Sequence, residues 1–151
     1  MNRRTTASLV LAAALTATLV PSGCSGSADG PVAVSAGPTA AATPAGGAEL
    51  GAAEFAAALK RSGTTVVDVR TPQEFAQGHL PGAVNLDVSA PDFASQIATL
   101  DPSKPYAVYC RSGNRSGVAV AAMVEQGFTA AYHLQGGIGA WQDAGGEVTT
   151  G

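Results

Sequence analysis

The sequence predicts an α/β fold, a parallel sheet flanked by helices. Three observations predict it. Short β-branched or apolar runs alternate with helical stretches through residues 49–147, the order that builds a parallel sheet. All four Phe, all three Tyr and the single Trp fall in that same stretch, so a core can form there. The two segments with distinctive chemistry, Asp68-Val69-Arg70 and the one starting at Cys110, directly follow strand-like runs. That is where such sheets bind ligands.

Each element has its own local reason. Glu49-Leu50 offers a short edge strand, and residues 52–61 a helix that buries Phe55 and Leu59. Residues 64–69 read TTVVDV, a β-branched run suited to a buried strand. Thr71 then caps a short helix, Pro72 suits its first position, Glu74 completes a capping box, and Gly78 ends it. Residues 83–86 form a second strand. Residues 92–100 form a helix with Phe93, Ile97 and Leu100 on one face. The third strand is 106–109. The Ala, Val and Met of 116–126 make a packing helix rather than a membrane segment, closed by Gly127. The fourth strand is 131–134, and Trp141 belongs to the core beside the last helix.

Length and composition bound the function. A chain of 151 residues predicts one domain. The net charge is -3 with only 8 Lys+Arg, which argues against nucleic acid as a partner. Two cysteines, Cys24 and Cys110, cannot make a disulfide framework.

The first residues read as an address. Arg3-Arg4 precede an uncharged run over 9–20 and then Pro21-Ser22-Gly23-Cys24, the pattern of a secretory signal. A run of 12 residues is short of the roughly 20 that span a bilayer. The site resembles a bacterial lipoprotein signal, which implies a signal peptide over 1–23 and lipidation of Cys24 as the mature N-terminus. Pro21 departs from the Leu-like residue that family prefers. The expected location is the outer face of the cell membrane, or periplasmic or secreted without the lipid. The lipid anchor is the only membrane contact expected. Residues 24–48 are expected to be a linker, since 21 of the 24 residues in 25–48 are Ala, Gly, Pro, Ser or Thr. The domain is placed at 49–147.

The chemistry is expected in Cys110-Arg111-Ser112-Gly113-Asn114-Arg115-Ser116, which joins a buried strand to a helix. Helix-start amides lack internal partners and carry partial positive charge. A cysteine there, beside Arg111 and Arg115, should be a stabilised thiolate, the form that attacks. Gly113 lets the loop curl so that its amides converge as a nest for an anion. The domain carries six basic against ten acidic side chains, yet two of the six lie in this loop, which favours an anionic substrate. No cofactor is implied. No metal site is evident, because the two His and Cys110 lack ligand spacing. His79 reads as a loop anchor, and His133 has no motif role.

With these residues in view, the sequence resembles a single-domain rhodanese, a sulfurtransferase. The resemblance is carried by Val67-Asp68-Val69-Arg70 with Glu74-Phe75, Gly78-His79-Leu80-Pro81-Gly82-Ala83, the Cys110–Ser116 loop, Gly127-Phe128, and Gly136-Gly137 with Trp141. It implies the rhodanese-like form of the predicted fold and a persulfide on Cys110 as nucleophile and sulfur carrier. It implies that the amides of Arg111, Ser112, Gly113, Asn114, Arg115 and Ser116 cradle that persulfide, that Arg115 closes the loop on the anion, and that Arg111 helps bind the donor. Asp68 and Arg70 support the site structurally. The expected partners are a small thiosulfate-like donor and a thiol or cyanide acceptor, or a protein that accepts sulfur. Two other classes remain open: a persulfide carrier or thiol sensor without turnover, and a phosphatase or arsenate reductase. Four residues separate Cys110 from Arg115, against five in those last two related families, and this smaller ring suits sulfur.

Overall fold

The structure is a computed structural model that describes residues 37–151. The expected signal peptide, Cys24 and the linker up to residue 36 lie outside the described residues.

Five strands form one sheet: β1 (Glu49–Leu50), β2 (Thr65–Asp68), β3 (Val84–Asn85), β4 (Tyr106–Tyr109) and β5 (Ala131–Leu134). The order is β1-β5-β4-β2-β3, and every pairing is parallel. The helices are α1 (Ala52–Leu59), α2 (Pro72–Gln77), α3 (Phe93–Ile97), α4 (Asn114–Glu125) and α5 (Gly137–Asp143). The sheet is therefore the parallel, helix-flanked sheet that the alternation predicts.

The middle of the sheet is dry on both sides. Along β4 the side chains alternate. Tyr106, Val108 and Cys110 pack with Phe93, Ile97, Val120 and Met123 from α3 and α4. Ala107 and Tyr109 pack with Phe55, Ile138 and Trp141 from α1 and α5. Trp141 meets Phe55 edge-on at 6.1 Å and donates from its indole nitrogen to the Glu147 carbonyl at 2.9 Å.

The caps follow the sequence closely. Thr71 and Glu74 form the expected capping box at α2. Helix α4 closes as a Schellman turn: Gly127 N–H donates to the Val124 carbonyl and Phe128 N–H to the Met123 carbonyl. Its start differs from expectation. Helix α4 begins at Asn114, two residues early, because Gly113 adopts φ 98° as its N-cap and turns the chain at once.

The domain is also larger than 49–147. In the expected linker, Ala40 N–H donates to the Ala57 carbonyl, and Gly46 and Gly47 N–H donate to the Thr129 and Ala131 carbonyls. Arg61 donates to the Ala40 carbonyl and the Thr43 hydroxyl. Ala40 and Ala48 pack on the α1 side of the core. At the other end, Thr149 and His79 exchange both backbone hydrogen bonds.

Strand order reverses between β2 and β4. From β2 the chain passes through α2 to β3 on one side, and from β4 through α4 to β5 on the other. The carboxyl ends of β2 and β4 thus flank the switch point of the sheet, the usual ligand crevice.

Candidate active site

Cys110 directly follows β4, with its side chain fully buried on the α4 side. Three residues on, the left-handed turn at Gly113 brings its N–H back onto the Cys110 sulfur at 3.1 Å. Three residues further, in the first turn of α4, the Ser116 hydroxyl, also fully buried, donates to the Gly113 carbonyl at 2.9 Å. Burial is the largest influence on the Cys110 thiol and opposes its ionisation. The Ser116 hydroxyl and the amides of Ser116, Ser112 and Gly113 together outweigh it, so the thiol pKa lies below its ordinary value. The expected direction therefore holds, with the Ser116 hydroxyl and the backbone amides as the largest pulls.

Helix α5 pins the loop from behind. Ile138 N–H donates to the Cys110 carbonyl at 2.8 Å. Gly137 has φ 61°, and a Cβ there would stand 2.4 Å from the Cys110 oxygen and 2.5 Å from the Arg111 carbonyl carbon. Only glycine permits that approach.

Arg115 has a partner the sequence did not suggest. Its two terminal nitrogens each contact a carboxylate oxygen of Glu74 at 2.7 Å. Because the capping box already fixes Glu74, this pair ties α4 to α2. The Arg115 hydrogen bonds, foremost, hold the Glu74 carboxyl at about 2. Arg115 thus braces the start of α4 through Glu74.

Asp68 and Arg70 form a buried buttress. Asp68 is fully buried and accepts from the Arg70 backbone N–H at 2.9 Å and from its guanidinium at 2.6 Å. Arg70 also donates to the Gly78 carbonyl at 2.6 Å, and its guanidinium lies 5.6 Å over the Tyr109 ring. Asn85 donates to the carbonyls of Asp68 and Arg70. The ends of β2, β3 and β4 are thereby locked together.

Above the loop opens a cleft of about 450 Å³, lined by Arg70, Glu74, Gln77, Arg111, Ser112 and Gln142, with Ile138 and Gly139 behind. Arg111, Ser112 and Asn114 are exposed, while Gly113 and Ser116 are buried under the cleft. Arg111 and Ser112 line it and Asn114 does not. His79 stacks on Phe75 at 3.7 Å and contacts the Phe75 carbonyl through Nδ1 at 3.0 Å, which anchors its loop.

Three residues of this site were not found from sequence. Glu74 was already explained by its local cap, Gly137 stood only in a block that carries the resemblance, and His133, 3.4 Å from the Ser116 hydroxyl, had no motif. A long-range pair such as Glu74–Arg115, 41 residues apart, leaves no local signal.

Known proteins bear on this arrangement. The rhodanese-like domain family matches residues 51–144. A relative from Stutzerimonas stutzeri, named thiosulfate sulfurtransferase GlpE, is 42% identical over 90 residues, covering 59% of this chain and 80% of that protein. A GlpE from Pseudomonas syringae pv. syringae is 43% identical over 89 residues, covering 59% and 82%. Among solved structures, a rhodanese-related protein from Thermoplasma volcanium aligns with a TM-score of 0.62 at 31% identity, covering 69% of this chain and 99% of that one. With a cysteine cradled at the end of β4, a braced loop and a match over most of the domain, the chain belongs to the rhodanese-like domain family and is an enzyme of the rhodanese type.

Proposed function

We propose that the chain moves sulfane sulfur from a thiosulfate-like donor to a thiophilic acceptor through a persulfide on Cys110. The observation that carries the proposal is the Cys110 sulfur held by the Gly113 amide at 3.1 Å beneath a cleft that Arg111 lines. In the first step the Cys110 thiolate attacks the outer sulfur of thiosulfate. A new S–S bond forms, the old one breaks, and sulfite leaves with the electron pair. The persulfide anion then sits where the loop amides point, stabilised by donors already in place. In the second step the acceptor attacks the outer sulfur, and the Cys110 thiolate is the leaving group. Arg111 contributes positive charge at the mouth for a dianionic donor. The name of the GlpE relatives supports thiosulfate as donor.

The test is the intact mass of the full-length protein after thiosulfate treatment, beside Cys110→Ala. One added sulfur on Cys110, absent from the variant and removed by cyanide with turnover, is the expected result. Persulfide without turnover would make the chain a carrier or sensor. No added sulfur would overturn the thiosulfate reading.

We place the protein outside the cytoplasm, tethered by a lipid on Cys24, on the strength of its first 24 residues. Cys24→Ala should shift it from the membrane fraction to the soluble one. An unchanged distribution would remove the anchor from this reading.

A further inference from the structure

Two helix faces and the active loop build the cleft above Cys110. Helix α2 brings Glu74 and Gln77, three residues apart and so on one face. Helix α5 brings Ile138 and Gln142, four apart and again on one face. Arg111 and Ser112 come from the loop itself. Two charges of this lining are already matched. Arg70 is taken by Asp68 and the Gly78 carbonyl, and Glu74 by both Arg115 nitrogens. Among the described residues, a ligand entering the cleft thus meets one surplus positive charge, Arg111, and the neutral polar side chains of Ser112, Gln77 and Gln142. All four are exposed. A dianionic donor needs more than one cation. With its outer sulfur at Cys110, the sulfonate sulfur of thiosulfate stands about 2 Å further out, one S–S bond away. Its three charged oxygens then project into the cleft. A single guanidinium fork pairs with two of them at most. The remainder falls to neutral donors, and each glutamine amide carries two N–H groups on a long side chain.

We propose that Gln77 and Gln142 are specificity-determining residues for the donor: their amide N–H groups take the sulfonate oxygens that Arg111 leaves unpaired. The inference rests on the proposed persulfide reaction and deepens it, by assigning the anionic head of the donor to two helices outside the active loop. Neutral amides suit a site that must also let go. Sulfite leaves as a dianion, and further cations in the cleft would hold it by Coulomb attraction. An amide bonds the anion without adding charge. The contact exists both when the donor is bound and when its S–S bond breaks, so it acts on donor affinity more than on the maximal rate. An acceptor without oxyanion oxygens, such as cyanide, gains nothing from it.

Gln77→Met and Gln142→Met test it, since each keeps the length of the side chain and removes the donor without changing charge. In the full-length protein, sulfur loading by thiosulfate is followed by intact mass. Alkylation by anionic iodoacetate and by neutral iodoacetamide is followed beside it on the Cys110 peptide. Each single variant should load sulfur about threefold more slowly at low thiosulfate, and the double variant about tenfold. Saturating thiosulfate should restore the rate. The double variant should also lower the iodoacetate rate relative to the iodoacetamide rate, with the latter unchanged. Loading at the unmodified rate in the double variant overturns the proposal, as does a drop confined to one glutamine. An equal loss with iodoacetamide overturns it too, because that reports a disturbed loop. Alanine at both positions serves the same comparison should a Met variant not fold. If the unmodified protein loads no sulfur from thiosulfate, the proposed function falls, and the ratio of the two alkylation rates still decides whether the glutamines read an anion.

Discussion

Glu74 does two jobs with one carboxylate. Its Oε2 accepts from the Thr71 N–H at 3.2 Å and from Arg115 at 2.7 Å, while Oε1 takes the other Arg115 nitrogen. The folded-state pKa of about 2 lies below the ordinary 4.5. The stability this pair contributes is therefore present above the unfolded value and lost as pH falls from about 4.5 toward 2. The side chains are 34% and 25% exposed, so solvent screens part of it. Glu74→Gln should lower unfolding free energy by about 1 kcal/mol at neutral pH, read by urea titration. It should also flatten the acid limb of the stability profile. An acid limb as steep as before would mean that other carboxyls carry it. At this scale the sequence was informative where chemistry is local: the nest Cys110–Ser116 spans seven consecutive residues and could be read directly. The pairing of Arg115 with Glu74 was not legible, because Glu74 is distant in sequence and already had a sufficient local role.

The elements explain why the loop keeps its shape. Strand β4 delivers Cys110 from the middle of the sheet, and α4 begins immediately after the Gly113 turn. Helix α5 then presses its first turn against the back of the loop through Gly137 and Ile138. Gly137→Ala puts a methyl into the Cys110 and Arg111 carbonyls on a residue with positive φ. It should cost about 2 kcal/mol or more and slow Cys110 alkylation, checked by thermal melts and by the same thiol reaction. A variant with unchanged melt and unchanged thiol would show that the loop relaxes freely around α5. The strands and their order of succession were legible because four-residue apolar runs and helix caps are local signals. The early start of α4 was less so. The sequence offered Ser116 as the first helical residue, whereas the glycine turn brings Asn114 and Arg115 into the helix and lets the Ser116 hydroxyl reach back to the Gly113 carbonyl.

For the whole molecule, the unexpected part is the segment before β1. Composition correctly says that residues 37–48 have no core of their own. It cannot say that the domain lends them one, through Ala57, Arg61, Thr129 and Ala131. A chain beginning at residue 49 should be less stable than one beginning at residue 37 by about 2–3 kcal/mol, given several hydrogen bonds and the covered apolar surface. Equal melting temperatures would mean that the segment rests on the surface without stabilising it. The sheet has a further consequence at this scale. Both of its outermost strands, β1 and β3, are two residues long, and Val84 on β3 is half exposed. A row so brief offers a neighbouring chain almost no ladder to extend. At high concentration the folded protein should accordingly resist polymerising edge to edge, and any fibrils it forms should have to start from opened chains.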